Sequence, residues 1–359
     1  MGALTIGFDV TSALTGATGI ARYVRHLAAA LEELDDPPTV RRFAAGRAQV
    51  APSEGEAAAI VRSRLPLRVV SASWAHGGPP SVERLVGPVQ TVHAAGPALP
   101  SASAPLVAVV HDLAPLDHPG LHPRRNADLL RRYVAGLDRA AAVVVVSQTT
   151  ADRLAALAPR ASIHITPNGR TLLPPPAAPP LAGRRYVLAV GSPVPRKGYD
   201  QLLRAVARLH GDDLLLALVG PRGSGDPALA RLAAELGLGG RFHRVESASD
   251  AELAGWYAQA SVLAAPSVDE GFSLPVVEAQ GAGVPVVVTD IAVHREVAGG
   301  AAAFVPVGDA DALAEAIADV LSGGPGVERR RADGRANADR YSWAACAEAT
   351  LAVHRAVLA

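Results

Sequence analysis

Cysteine is almost absent from this chain of 359 residues, where Cys346 stands alone. One thiol excludes an internal disulfide framework, and with no recognisable signal peptide it predicts a cytoplasmic protein. Long apolar runs are missing as well. The first, residues 4–8, is too short to span a bilayer, and no later run approaches the roughly 20 residues that a spanning helix needs. The expectation is a soluble protein, or one held peripherally at the inner membrane face. An excess of either charge is also lacking, since 34 Lys plus Arg balance 34 Asp plus Glu. No overall field therefore draws the chain to nucleic acid or to an anionic membrane. Aromatic residues are scarce at 4%, while alanine, arginine, glycine and proline abound, as codon bias toward GC would produce. Lysine is the most informative absence. Lys197 is the only one, every other basic side chain being arginine or histidine. Where positive charge has drifted to arginine, one retained ammonium suggests geometry, such as contact with phosphate, with chance as the alternative.

What is present points to two domains of α/β class. The length exceeds what one core usually supports, and 49% hydrophobic residues are ample for two. Apolar runs at 4–8, 69–70, 91–92, 106–110, 143–146 and 163–165 alternate with helical patterns, and a second set follows at 186–190, 214–219, 242–245, 262–265, 284–289 and 303–305. Runs without polar alternation, separated by helices, predict parallel sheets covered on both faces. Between the sets lies LPPPAAPPLAG at 173–183, which can be neither helix nor central strand. The predicted organisation is a Rossmann-like domain over 1–173, a Pro-rich linker over 174–183, a second Rossmann-like domain over 184–341 and a helix over 342–359. Two doubly wound domains facing across a cleft would hold ligand groups at the C-terminal ends of their strands.

The chemistry concentrates in residues 266–290, PSVDEGFSLPVVEAQGAGVPVVVTD. Glu270 sits in a loop, followed by Gly271, Phe272 and Ser273, and a short helix then begins with Leu274 and Pro275. The missing N–H of Pro275 costs nothing in a first turn. Free backbone N–H groups and the helix dipole favour an anion there, and Gly271 lets the backbone come close. Glu278, eight residues after Glu270, lies inside the helix. Carboxylates accept hydrogen bonds from sugar hydroxyls but repel bare phosphate, so two around an anion-seeking turn suggest a sugar nucleotide. On spacing alone such a pair is more often two solvated helix charges.

With its neighbours, this stretch resembles the signature of the retaining glycosyltransferases of family 4, which have the GT-B fold. Glu270 and Glu278 match the two glutamates of that family's E-x7-E motif. Further matches occur along the chain. Gly16, Gly19 and the run Gly19-Ile20-Ala21-Arg22-Tyr23 resemble the glycine-containing loop of mannosyltransferase-like members, although the common Gly-Gly pair is replaced. His111-Asp112, ending the 106–110 run, is similar to the family's His-Asp element, against the alternative of a buried structural histidine. Residues 186–200 contain Gly191, Arg196, Lys197 and Gly198, an anion site of strand, turn, two cations and helix start that matches the family's Gly-x-x-x-x-x-Lys-Gly element. Residues 242–249 correspond to the family's nucleobase region but lack the glycine expected near Val245. Gly220-Pro-Arg-Gly223-Ser-Gly225 lacks dinucleotide spacing and is read as a loop.

The resemblance implies a retaining hexosyltransferase with a nucleotide diphosphate sugar as donor, mannose from GDP-mannose as the first guess, and an acceptor hydroxyl on a glycan, glycolipid or small molecule. It implies His111 and Glu270 as catalytic and sugar-binding, with Gly271, Phe272, Ser273 and Leu274 sharing the sugar. Gly16, Gly19, Arg196 and Lys197 would hold the diphosphate and Glu278 the ribose, and the terminal helix would cross back to the first domain. No cofactor and no metal are expected, since an Asp-x-Asp element is missing and two cations can neutralise the leaving diphosphate. Arg124, Arg125, Arg131 and Arg132 fall toward one side of a predicted helix, as a solvated face or, by the resemblance, a peripheral membrane contact. The alternatives are a nucleotide-sugar 2-epimerase, a phosphorylase and a non-catalytic sugar-nucleotide-binding protein of the same fold.

Overall fold

The central apolar runs become strands buried on both faces because each alternates between two cores, whereas the edge strands at 163–165 and 242–245 are only partly covered. The computed structural model describes residues 3–14, 18–46, 60–176, 181, 183–209 and 213–359. Gly16, and residues 177–180 and 182 of the Pro-rich tract, lie outside these described residues. The chain divides into two units, one formed by Met1–Gly169 with Ser342–Ala359 and the other by Arg170–Tyr341.

In the first unit the described strands are β1 (Thr5–Asp9), β2 (Thr39–Ala44), β3 (Val61–Arg62), β4 (Thr91–Ala94), β5 (Leu106–Val110), β6 (Ala142–Val145) and β7 (Ile163–Ile165). They form one parallel sheet in the order β3-β2-β1-β4-β5-β6-β7. Val107 and Val109 enter one core, and Ala108 and Val110 the opposite one. The Gly19–Glu32 helix covers the first face with Tyr23, Val24, Leu27 and Leu31. Helix Trp343–Ala356 joins the same core through Cys346, Ala347, Leu351 and Val353.

The second unit repeats the plan with β8 (Tyr186–Val190), β9 (Leu215–Val219), β10 (Phe242–Val245), β11 (Val262–Ala265), β12 (Val286–Thr289) and β13 (Ala302–Val305). Its parallel order is β10-β9-β8-β11-β12-β13. Tyr186 and Leu188 face one core, Val187 and Ala189 the other. In both sheets the strand order reverses once, between β1 and β4 and between β8 and β11, while all strands stay parallel. Ligands of doubly wound sheets bind beyond the strand ends at such reversals.

Two expectations change. The run at 69–70 lies in a helix, Leu67–Ala75, which buries Val70 and Trp74 one turn apart and leaves Val69 50% exposed. That spacing fits a helical period better than a strand's. Strand β2 was hidden by Arg41 and Arg42. Their guanidinium groups are taken up by the carbonyls of Val86 and Pro88, each at 3.0 Å, and by Glu32 at 2.7 Å.

Candidate functional site

At the reversal of the second sheet, the loops after β8 and β11 meet. The first makes a tight turn, Pro195–Lys197, and enters helix Tyr199–Arg208 through Gly198 at φ 64°. A Cβ on Gly198 would lie 2.2 Å from Pro266 O, so only glycine allows the approach. Val268 N–H donates to Arg196 O at 2.8 Å and ties the two loops together.

Glu270 is the centre of what they build. Arg196 Nη1 reaches Oε2 at 2.6 Å, Lys197 Nζ reaches Oε1 at 2.5 Å, and Ser267 Oγ donates to Oε1 at 2.7 Å. Arg196 Nη1 also donates to Asp269 O at 2.8 Å. The carboxylate is only 6% exposed. Burial alone would raise its pKa, but the Arg196 guanidinium and the Lys197 ammonium overcome that and hold it well below the usual carboxylate range. A small cavity against the cluster is lined also by Tyr199, Ser273 and Pro275. The sequence reading set the two cations toward phosphate and Glu270 toward sugar. The structure joins all three in one ion-paired cluster.

Helix Leu274–Gly281 follows, with Pro275 in its first turn. Its N-cap, Ser273, has φ 74° and ψ 60°, the one non-glycine residue at positive φ among those described, and its side chain does not cap the helix. Phe272 and Leu274 turn inward. Phe272 packs edge-on to Tyr341 at 5.3 Å, so toward a ligand this turn would offer its backbone. Glu278 is buried within the helix and accepts a hydrogen bond from Tyr257 at 2.9 Å.

His111 and Gly19 belong to the first unit. His111 follows β5 directly and meets the Tyr23 ring edge-to-face at 4.7 Å. Burial pushes its pKa down to about 4, so the ring is neutral near pH 7. Gly19 opens its helix behind the Thr18 cap, and a Cβ there would meet nothing within 4 Å. Local sterics do not demand glycine at that place. The arginines 124, 125, 131 and 132 form an exposed face of helix Arg124–Ala135, with Arg131 paired to Asp128 at 2.8 Å.

Three polar residues escaped the sequence reading. Ser267 holds Glu270, and Thr289, ending β12, donates to Ser267 O at 2.5 Å. Thr289 has no spacing signature because its link crosses from a strand end to a backbone carbonyl, whereas Ser267 stands only three residues before Glu270 in the same loop, a spacing too common to be read as a motif. Asp9, ending β1 at the reversal of the first sheet, is fully buried and accepts from Thr11 N at 2.9 Å and Thr11 Oγ1 at 2.5 Å. Burial raises its pKa to about 6 against those bonds. Among the described residues, no group of three or more His, Cys, Asp or Glu is placed to hold a metal ion, and no helix is long and apolar enough to cross a membrane.

Comparison with known proteins agrees with this architecture. Residues 17–172 match the family model described as Glycosyltransferase Family 4, and residues 177–339 match that of the group 1 glycosyl transferases. The MMP alpha-(1->4)-mannosyltransferase of Mycolicibacterium hassiacum is 37% identical over 182 residues, 49% of this chain and 44% of that protein. The O-antigen chain mannosyltransferase B of Escherichia coli is 29% identical over 273 residues, 72% of each chain. The match thus spans less than half the length of the first relative. Among solved structures, sucrose-phosphate synthase of Thermosynechococcus elongatus superposes with a TM-score of 0.78 at 20% identity, covering 98% of both chains. The chain belongs to the family 4 glycosyltransferases and has their GT-B type of fold, two Rossmann-like domains.

Proposed function

We propose that the protein moves a hexosyl group from a nucleotide diphosphate sugar to an acceptor hydroxyl, retaining the anomeric configuration and using no divalent metal. The observation that supports this is the convergence of Arg196, Lys197 and Glu270 at the reversal of the second sheet. In this reading the two cations meet the diphosphate, whose charge grows as the C1–O bond to phosphate breaks. Glu270 accepts from the hexose hydroxyls, Glu278 from the ribose, and the backbone from Gly271 to Leu274 shares sugar and phosphate. By the family resemblance alone, Gly16 and Gly19 are assigned to the diphosphate and His111 to the transferred sugar. The acceptor oxygen bonds to C1 on the face the phosphate leaves, and its proton passes to the departing phosphate oxygen. Mannose from GDP-mannose is the donor to test first, since two relatives are named mannosyltransferases. The acceptor is a glycan, glycolipid or small molecule with a free hydroxyl.

The test is incubation with GDP-mannose, UDP-glucose and related sugar nucleotides in excess chelator. One donor is expected to release its nucleoside diphosphate slowly without acceptor, and the first-formed product should keep the donor's C1 configuration by proton coupling. Turnover that vanishes in chelator and returns with magnesium or manganese would overturn metal independence, and an inverted product would overturn retention. A sugar altered at C2 with no diphosphate released would mark an epimerase instead.

A further inference from the structure

We propose that His294 is a positioning residue for Glu270, acting through Thr289 and Ser267. His294 lies on the Ala292–Ala298 helix, fully buried, outside every motif of the sequence. Its Nδ1 is 2.9 Å from Thr289 O and 3.2 Å from Thr289 Oγ1. A carbonyl oxygen only accepts, so Nδ1 must bear the proton. Thr289 Oγ1 directs its own hydrogen to Ser267 O at 2.5 Å, which leaves its lone pairs for the imidazole N–H. Ser267 Oγ then donates to Glu270 Oε1 at 2.7 Å. Each donor is thereby assigned from His294 to the carboxylate on which Arg196 and Lys197 converge.

The other ring nitrogen supports a working role. With Nδ1 protonated, Nε2 of the neutral ring is a buried acceptor, and the described residues offer it no hydrogen-bond partner. Such a nitrogen is unfavourable, and a leucine would fill similar space without it. Among the described residues, the hydrogen bonds this imidazole makes are those of Nδ1–H. Thr289 is also the last residue of β12, so the bond fixes a strand end against the loop carrying Glu270.

The role rests on the reading of Glu270 given above, and the experiment separates the two. Lys197 is the only lysine, so lysine labelled with 13C at Cε and 15N at Nζ yields one side-chain signal reporting its pair with Glu270, with no substrate present. His294→Leu should move that signal in the direction that Glu270→Gln moves it. His294→Asn, whose amide N–H can replace Nδ1–H, should leave it near the wild-type position. Thr289→Val, close in shape, cuts the same link and should act like His294→Leu, so it decides the matter if His294→Leu does not fold. A signal unmoved in His294→Leu or Thr289→Val would overturn the proposal, as would His294→Asn moving it equally far. In GDP-mannose hydrolysis, His294→Leu should lower turnover about tenfold through misplacement of the carboxylate while GDP binding is retained. Added to Glu270→Gln it should have less than about a twofold further effect, and full additivity would sink the coupling. Wild-type turnover in Glu270→Gln would overturn the role of Glu270 alone, the labelled lysine still deciding the His294 link.

Discussion

At Glu270 two cations and a hydroxyl converge on one buried carboxylate, so its replacement tests charge more than shape. Glu270→Gln keeps the shape and releases Arg196 and Lys197 from an ion partner. Nucleoside diphosphate binding, followed by calorimetry, should be no weaker than in wild type, while sugar transfer falls by on the order of a hundredfold through misplacement. Loss of diphosphate affinity would contradict the proposed division of roles. Asp9 provides a second test with the opposite sign. Burial raises its folded pKa to about 6 from the ordinary aspartate value of 3.8, so the fold binds the proton more tightly than the unfolded chain does. Stability from this group is complete below pH ~4, declines as pH rises toward 6 and stays low above it, by on the order of 3 kcal/mol. Asp9→Asn should therefore raise the urea midpoint at pH 7.5 and much less at pH 4, and an equal change at both would refute the cause. Lys197 and Glu270 were legible because rarity and spacing mark them in the chain. Thr289 and His294 were not, since their meaning lies in hydrogen bonds between elements, and Ser267 was not because a serine three residues before a glutamate is an ordinary local spacing.

The Leu274–Gly281 helix begins with a residue that L side chains rarely tolerate, Ser273 at φ 74°. Its hydroxyl does not cap the helix, so sequence preference for serine at N-caps does not explain it. Glycine accepts this backbone freely, whereas a β-branched side chain does not. Ser273→Val should destabilise by roughly 1–2 kcal/mol and Ser273→Gly should not, as thermal unfolding would show. Indistinguishable melting of the two variants would mean the turn rearranges. Elements with uninterrupted apolar runs, β5 and β8 among them, were evident from sequence because burial on both faces leaves no polar alternation. Strand β2 was concealed by two arginines whose charges leave the sheet for Glu32 and for loop carbonyls. Helix Leu67–Ala75 shows the converse, two valines that read as strand until Trp74 supplies the period.

The second unit is continuous, Arg170–Tyr341, whereas the first is completed by Ser342–Ala359. The two crossing points are drawn together locally. Arg170 N–H donates to Tyr341 O at 2.9 Å, and a Cβ on Gly169 would lie 2.2 Å from Trp343 N. Residues 170–341 expressed alone should unfold cooperatively. Residues 1–169 alone should not, because Cys346, Ala347 and Leu351 are missing from their core. Cooperative unfolding of the shorter piece would show that core to be complete without the helix. The same connectivity sets an order in time. Chain synthesis proceeds at roughly 5–20 residues per second, so the face of Phe8 and Leu27 waits on the order of ten seconds or more, while the whole second unit is made, before Trp343–Ala356 can cover it. The unit that is begun first is finished last, and its exposed face needs protection from aggregation throughout that interval.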